Sequence, residues 1–205
     1  MMKNLVAGLL AGSVMAFASG ASAADFYADG PSGVYDWSGF YLGLQAGGGW
    51  TRMNDTGSIY GLNGFMLGAH AGYNFQSGNF VFGVEGDLNY NWNRVVLGGP
   101  TVWGTTRWDG SVRGRLGYAI DRTLLYATGG VAFTNLHVDN PPFSINMGYT
   151  GWTLGAGVEH AFTKNLTARL EYRYTGFGRQ VPPAPFVGTV DLNKSQLLVG
   201  VSYKF

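Results

Sequence analysis

The feature that most constrains this 205-residue chain is an alternation of apolar and polar residues that returns in eight separate segments. In residues 165–174, NLTARLEYRY, leucines and tyrosines occupy one face, whereas arginines and a glutamate occupy the other. A period of two is typical of a β-strand with one apolar face. The chain is therefore predicted to be all-β. The predicted strands lie at residues 40–50, 65–75, 80–92, 108–118, 125–133, 152–162, 165–174 and 197–205.

The connections between these strands alternate in length. Three are short turns, at residues 76–79, 120–123 and 163–165. Four are long loops, at residues 51–63, 93–106, 135–150 and 177–191. Up-and-down barrels of outer membranes have this alternation, with short periplasmic turns, long external loops and an even number of strands. We therefore predict an eight-stranded antiparallel transmembrane β-barrel with four long extracellular loops.

Aromatic and charged residues indicate which face of each strand meets lipid. Phe, Tyr and Trp bound the apolar faces near the strand ends, as in the aromatic girdles of membrane barrels. The other faces carry glycine and ionisable residues, and an eight-stranded barrel is only wide enough for side chains to fill it. The apolar faces are therefore predicted to meet lipid, and the charged faces to line the lumen.

The charged faces predict a network of ion pairs inside the barrel. Four carboxylates and four arginines share the inward positions, and buried ions are tolerated only when they are paired. Counting from the short turns places Glu159 opposite Arg169 and His70 opposite Glu85, at the distance of cross-strand partners. The predicted members of the network are Glu85, Asp87, Arg113, Arg115, Glu159, Arg169, Glu171, Arg173 and His70.

A water-soluble barrel of the lipocalin type is the alternative architecture. It reverses the facing, because an apolar interior would bind a greasy ligand. The arginines and carboxylates would then form an ordinary solvated surface.

The N-terminal residues have the layout of a secretory signal peptide. A basic start at Lys3 is followed by an apolar stretch, Leu5 to Phe17, and by the small residues Ala21-Ser22-Ala23. The expected domains are a signal peptide at 1–23, a periplasmic lead-in at 24–36 and the barrel at 37–205, with a retained membrane anchor as the alternative for the first segment. Loss of Lys3 leaves equal numbers of basic and acidic residues, which gives no support for nucleic-acid binding.

Several stretches resemble one family of barrels. They are YDWSGFYLGLQAGGGW, GVEGDLNYNW, RGRLGYAIDRTLLYATGGVAF, GWTLGAGVEHAFTKNLTARLEYRY and VGVSYKF. Over residues 37–205 the chain resembles the small porin-like outer-membrane immunogenic and haemin-binding proteins, within the OmpA-like superfamily of eight-stranded barrels. The resemblance implies the outer membrane of a Gram-negative bacterium, contact with its lipids and lipopolysaccharide, and insertion by the barrel assembly machinery. Phe205 resembles the C-terminal signal that directs this assembly.

The function expected from these features is structural and non-enzymatic: envelope integrity and contact with an unknown extracellular partner through the long loops. A weakly conducting porin and a haemin-binding surface protein are the alternatives. For haemin, the candidate ligand is His137, in a predicted loop with prolines and Phe143 nearby. No Ser–His pair lies on one face of neighbouring predicted strands at matching height, which argues against a lipid hydrolase. The sequence has no cysteine and no residue cluster with the spacing of a metal site.

Overall fold

The computed structural model describes residues 35–55, 58–92, 95–96, 103–140, 143–180 and 190–205. For the strand ends at residues 51–55, 58–63, 95–96, 103–106, 136–140, 143–147, 179–180 and 190–192, it describes the backbone only. The predicted signal peptide and all but the last two residues of the predicted lead-in lie outside the described residues.

Within these ranges the chain forms nine strands and a closed sheet. Every neighbouring pair is antiparallel, and pairing of β3 with β5 closes the ring β1-β2-β3-β5-β6-β7-β8-β9. The two-residue β4 pairs only with the start of β5. The predicted eight-stranded up-and-down barrel is thus confirmed. The strands are β1 (Gly39–Asp55), β2 (Ser58–Ser77), β3 (Phe80–Trp92), β4 (Val95–Val96), β5 (Trp103–Ile120), β6 (Thr123–Asn140), β7 (Phe143–Ala161), β8 (Leu166–Gln180) and β9 (Val190–Lys204).

All barrel strands except β3 are longer than the sequence predicts, and strands extend into all four predicted loops. The pairing of β1 with β2 continues as far as Asp55 and Ser58, and the pairing of β6 with β7 continues as far as Asn140 and Phe143. The bounds predicted at 51–63 and 135–150 are therefore wrong for most of their residues. Antiparallel pairing satisfies backbone N–H and C=O groups whatever the side chains are, so a ladder can continue after the apolar alternation has ended.

The turn between β2 and β3 lies one residue later than the two-residue turn at Ser77-Gly78 from which the register was predicted. Its two central residues are Gly78 and Asn79, and Gly78 takes the positive φ of 62° that suits the first position of a type II′ hairpin turn. The register consequently moves by two residues, so His70 pairs with Asp87 and the predicted partner Glu85 is wrong. A shift of two leaves every side chain on its predicted face.

The barrel has its apolar side outward and its charged side inward. Leu44 and Val112 are 67% and 62% exposed, whereas Arg113 is 1% exposed. Exposed aromatic rings cluster at both ends, with Phe65 against Trp92 at one end and Phe80 against Tyr118 at the other. The polar interior contradicts the lipocalin alternative. Among the described residues no helix is long and apolar enough to cross a membrane.

Candidate functional site in the barrel lumen

Glycines at inward positions make room for the long side chains of the lumen. A Cβ atom on Gly43 would collide with the His70 ring, and one on Gly157 would collide with the Tyr126 hydroxyl. A larger residue at either glycine would therefore displace a lumen side chain. The arginines and carboxylates occupy the space that these glycines leave.

Arg113, on β5, joins carboxylates from two sides of the lumen. Its Nη2 contacts Glu85 and lies 3.3 Å from Asp87, both on β3. Its Nη1 contacts Glu171 on β8 at 2.5 Å and donates to the Thr128 hydroxyl at 3.2 Å. The planar guanidinium suits such multiple contacts because its N–H groups point in fixed directions.

Glu85 collects three donors from three strands. Its Oε2 accepts from Arg169 Nη1, on β8, at 2.5 Å and from the Tyr41 hydroxyl, on β1, at 2.8 Å. Arg169 also donates to the side-chain oxygen of Gln45, whose amide donates to Asn89 at 2.6 Å. Since Arg113 supplies the third donor, the Glu85 carboxylate is held by two cations and a phenol.

Arg173, on β8, links two of these carboxylates, Asp87 and Glu171. Its Nη1 lies 3.0 Å from Asp87 and its Nε lies 2.9 Å from Glu171. Asp87 also accepts from the Ser111 hydroxyl, and Glu171 accepts from the Tyr126 hydroxyl at 3.0 Å. The side chains of Arg173, Asp87 and Glu171 are at most 3% exposed.

A separate pair, Arg115 with Glu159, lies nearer the short turns. Arg115 Nη2 contacts Glu159, which also accepts from the Thr167 hydroxyl at 2.5 Å. The Arg115 guanidinium lies 3.9 Å from the centre of the Tyr126 ring, which favours the cation although its Nε and Nη1 find no hydrogen-bond partner. Arg169 does pair with Glu159 in backbone register, but its side chain reaches Glu85 instead.

The structure adds an ion pair that the sequence analysis missed. Lys194, on β9, contacts Asp109, on β5, and donates to Asn91 at 3.1 Å. Asp109 shares the inward alternation of β5, so its position was available from the sequence. Lys194 lies three residues before the predicted start of its strand at Leu197, and only the observed length of β9 places it in the lumen.

His70 is buried, and its ring contacts a serine rather than a carboxylate. Its Nε2 lies 2.8 Å from the Ser202 hydroxyl, across the inward position of Gly43 on the strand between them. Cross-strand pairing does not reveal this Ser–His pair from the sequence, because β2 and β9 are not neighbouring strands. The Nδ1 atom of His70 has no hydrogen-bond partner, and both side chains are enclosed. The pair therefore lacks the carboxylate that orients a catalytic histidine.

The other two predicted site residues are His137 and Phe205. His137 lies on β6, paired with Asn146, so its predicted loop position is wrong; its side chain is outside the described residues. The Phe205 N–H donates to the Phe40 carbonyl at 3.0 Å, and its ring is 67% exposed. Its role as an assembly signal stays a prediction. Among the described side chains, no group of three His, Asp or Glu is arranged to hold a metal ion.

Comparison with known proteins identifies the family. A model of the outer membrane protein beta-barrel domain matches residues 5–205. The 25 kDa outer-membrane immunogenic protein of Brucella abortus biovar 1 (strain 9-941) is 34% identical over 217 residues, which cover 100% of this chain and 99% of that protein. The 22 kDa outer membrane protein of Rhizobium leguminosarum bv. viciae is 41% identical over 170 residues, which cover 82% of this chain and 78% of that protein.

Solved structures show the same fold at lower identity. Neisserial surface protein A superposes with a TM-score of 0.54 and 22% identity, over 82% of this chain and 98% of that chain. Ail of Yersinia pestis, in complex with the heparin analogue sucrose octasulfate, superposes with a TM-score of 0.53 and 18% identity, over 82% and 99% of the two chains. The chain therefore belongs to the outer membrane protein β-barrel domain family and is a β-barrel of the Gram-negative outer membrane.

Proposed function

We propose that this protein is a non-enzymatic barrel that supports the envelope, contacts outside partners through its long connections, and has a lumen plugged by its ion pairs. The observation that carries the proposal is the continuous set of contacts across the lumen. Arg169 and Arg173 reach from β8 to Glu85 and Asp87 on β3, which lies on the opposite side of the ring. The four side chains are at most 3% exposed.

The energetics favour a plug that stays closed. Removing one partner from a buried pair costs about 3–5 kcal/mol, because the other charge is left unpaired. If spontaneous separation costs a similar amount, the open state is populated roughly once in a thousand, since about 1.4 kcal/mol corresponds to a factor of ten. A space of about 10 Å³, roughly the room of one water molecule, lies beside Arg173 and Lys194. Asp87 and Arg173 of the network are among the residues that line it.

The surface role has separate support. Relatives of this chain are named outer-membrane immunogenic proteins, and such a name fits exposure of the long connections outside the cell. Loops on a rigid scaffold are common contact surfaces for partners. The exposed apolar and aromatic belt is suited to outer-membrane lipids and lipopolysaccharide.

Single-channel recording in planar bilayers tests the plug. The wild-type barrel is expected to show no steady conductance. The variant Glu85→Ala/Arg169→Ala/Trp37→Ala removes one charge of each sign from the lumen and also the indole that is buried at its short-turn end. It is expected to show discrete conductance steps, whereas Trp37→Ala alone is expected to show none. The matched control is Leu170→Ala, on the same strand but facing lipid, and it should behave as wild type. Steady conductance of the wild-type barrel would establish a porin and overturn the plug.

The envelope role is tested in cells. Deletion of the gene is expected to increase sensitivity to detergents, and expression of the wild-type barrel is expected to restore resistance. Unchanged sensitivity after deletion contradicts a structural role. Haemin binding remains a prediction from the resemblance alone; a saturable absorbance change that His137→Ala abolishes would support it.

A further inference from the structure

Four residues that precede β1, Tyr35–Ser38, are bonded to the short-turn end of the barrel. The Tyr35 N–H donates to the carbonyl of Asp121, in the β5–β6 turn, at 3.0 Å. The Tyr35 hydroxyl donates to the carbonyl of Lys164, in the β7–β8 connection, at 2.8 Å. Burial raises the pKa of this hydroxyl to about 12, so it stays protonated and able to donate at any physiological pH.

The same segment contacts β2 and the last strand. The backbone N–H of Trp37 donates to Gln76 Oε1 at 2.6 Å, and the backbone N–H of Gln76 donates to the Ser38 hydroxyl at 3.1 Å. The Lys204 ammonium donates to the carbonyl of Asp36 and lies 4.8 Å from the centre of the Tyr35 ring. The segment is thus held by the hairpin ends of β2, β5–β6 and β7–β8, and by β9.

The indole of Trp37 enters the mouth of the lumen. Trp37 is 2% exposed, although it belongs to no strand. The Tyr35 ring packs edge-on against it at 4.8 Å. Its neighbours are small or apolar side chains at the inward positions of β3, β5, β6 and β7. They are Val81, Ala119, Leu124, Tyr126 and Ala161.

This apolar layer lies between the charged network and the short turns. Tyr126 belongs to both layers, because its ring packs in the Trp37 cluster while its face carries the Arg115 guanidinium. Water that entered at the short turns would meet the indole before it met the ion pair of Arg115 and Glu159. Exclusion of water strengthens an ion pair by lowering the local dielectric constant.

We propose that Tyr35–Ser38 form a latch that closes the periplasmic mouth of the lumen, with Trp37 as its stopper. The latch can form completely only on a finished barrel, because its partners lie on strands from β2 to β9. The contact of Asp36 with Lys204 joins the residues before β1 to β9, and β1 and β9 are the strands that meet last along the chain. The latch therefore stabilises the closed ring at the seam between its first and last strands.

The absence of cysteine from the chain allows a direct test of the closure. Ala161 is fully buried and packs in the cluster around Trp37, so Ala161→Cys places a single thiol that the indole shields from solvent. A water-soluble maleimide is applied to the folded barrel in detergent. We expect slow labelling, and labelling at least about tenfold faster when Trp37→Ala is added, the factor that corresponds to about 1.4 kcal/mol. Equal labelling rates with and without Trp37 would overturn the latch.

Two controls keep the result specific. Ser77→Cys, exposed beside the β2–β3 turn, is expected to label at one rate whether or not Trp37 is present. The double substitution Glu85→Ala/Arg169→Ala is combined with Ala161→Cys as the second control. The thiol is expected to stay protected, because Trp37 still packs against it. Protection that depends on the ion pairs and not on Trp37 would refute the latch while leaving the proposed plug intact.

A second variant covers the case in which Trp37→Ala does not fold. Gln76→Ala keeps the indole but removes the acceptor of the Trp37 backbone N–H. It is expected to raise the labelling rate of the thiol at position 161 by a smaller factor than Trp37→Ala does. Heat-modifiable mobility in electrophoresis reports that each variant is folded. A folded Gln76→Ala variant with unchanged labelling would count against the latch.

Discussion

Each inward carboxylate with a described side chain contacts at least one cation. Glu85 and Glu171 each contact two arginines, and Asp109 contacts Lys194. Burying an isolated charge is costly, so the sharing of cations allows the lumen to contain ionised groups without water around them. The consequence is that individual residues cannot be neutralised without leaving a partner uncompensated.

Glu85 is the residue at which this dependence should be strongest. We expect Glu85→Gln to lower the free energy of unfolding by about 3–5 kcal/mol, because Arg113 and Arg169 would both lose a charged partner. Urea titration of the barrel in lipid vesicles measures the change. The control is Asp121→Asn, an exposed carboxylate in the β5–β6 turn, which should shift stability by less than about 0.5 kcal/mol. Equal effects of the two substitutions would mean that Glu85 is not buried among cations.

The strands show which structural information the sequence contains. Facing follows from a period of two, which each segment displays locally, and the facing of residues 166–174 was predicted correctly. Register depends on where a turn is centred, and the turn predicted at Ser77-Gly78 is observed one residue later, at Gly78-Asn79. Strand length depends on backbone pairing with a neighbour, which carries no periodic signal in glycine-rich and polar stretches such as 51–63.

Two glycines of β1 provide a matched test of the strand geometry. A Cβ atom on Gly43 would collide with the His70 ring and with the Val201 carbonyl, whereas one on Gly48 would meet only the Gly64 carbonyl, at 3.9 Å. We expect Gly43→Ala to destabilise the barrel by about 1–3 kcal/mol through overpacking. Gly48→Ala should be close to neutral. Unfolding midpoints in urea compare the two variants, and equal stability would contradict the packing of His70 over β1.

Side-chain pairing depends on reach as well as on register. Glu159 and Arg169 are backbone partners, yet Glu159 contacts Arg115. A double-mutant cycle with Glu159→Gln and Arg115→Gln is therefore expected to show a coupling energy of about 1–3 kcal/mol. The cycle with Arg169→Gln should give a smaller coupling, because Arg169 contacts Glu85. Larger coupling in the second cycle would show that register, rather than reach, selects the partner.

The closed ring explains why the sequence could list the lumen residues but could not pair them. Three ion pairs join strands on opposite sides of the ring: Glu85 with Arg169, Asp87 with Arg173, and Asp109 with Lys194. Such pairs depend on the tilt and stagger at which the sheet closes, and no local pattern encodes these quantities. The position of Trp37 could not be predicted for a different reason, because a single residue before the first strand belongs to no periodic pattern.

The direction in which the apolar face of the sheet points can be tested with arginine, which is expected to destabilise the outward face but is native on the inward face. Ala156 lies outward on β7, paired with Ala127 and Tyr172, whereas arginine is native on the inward face of the neighbouring β8. We expect Ala156→Arg to destabilise the barrel by about 2–4 kcal/mol, the cost of a guanidinium near the bilayer midplane. Ser77→Arg, at an exposed turn, should be tolerated. Unfolding in lipid vesicles measures both, and equal tolerance would mean that hydrocarbon does not contact this face.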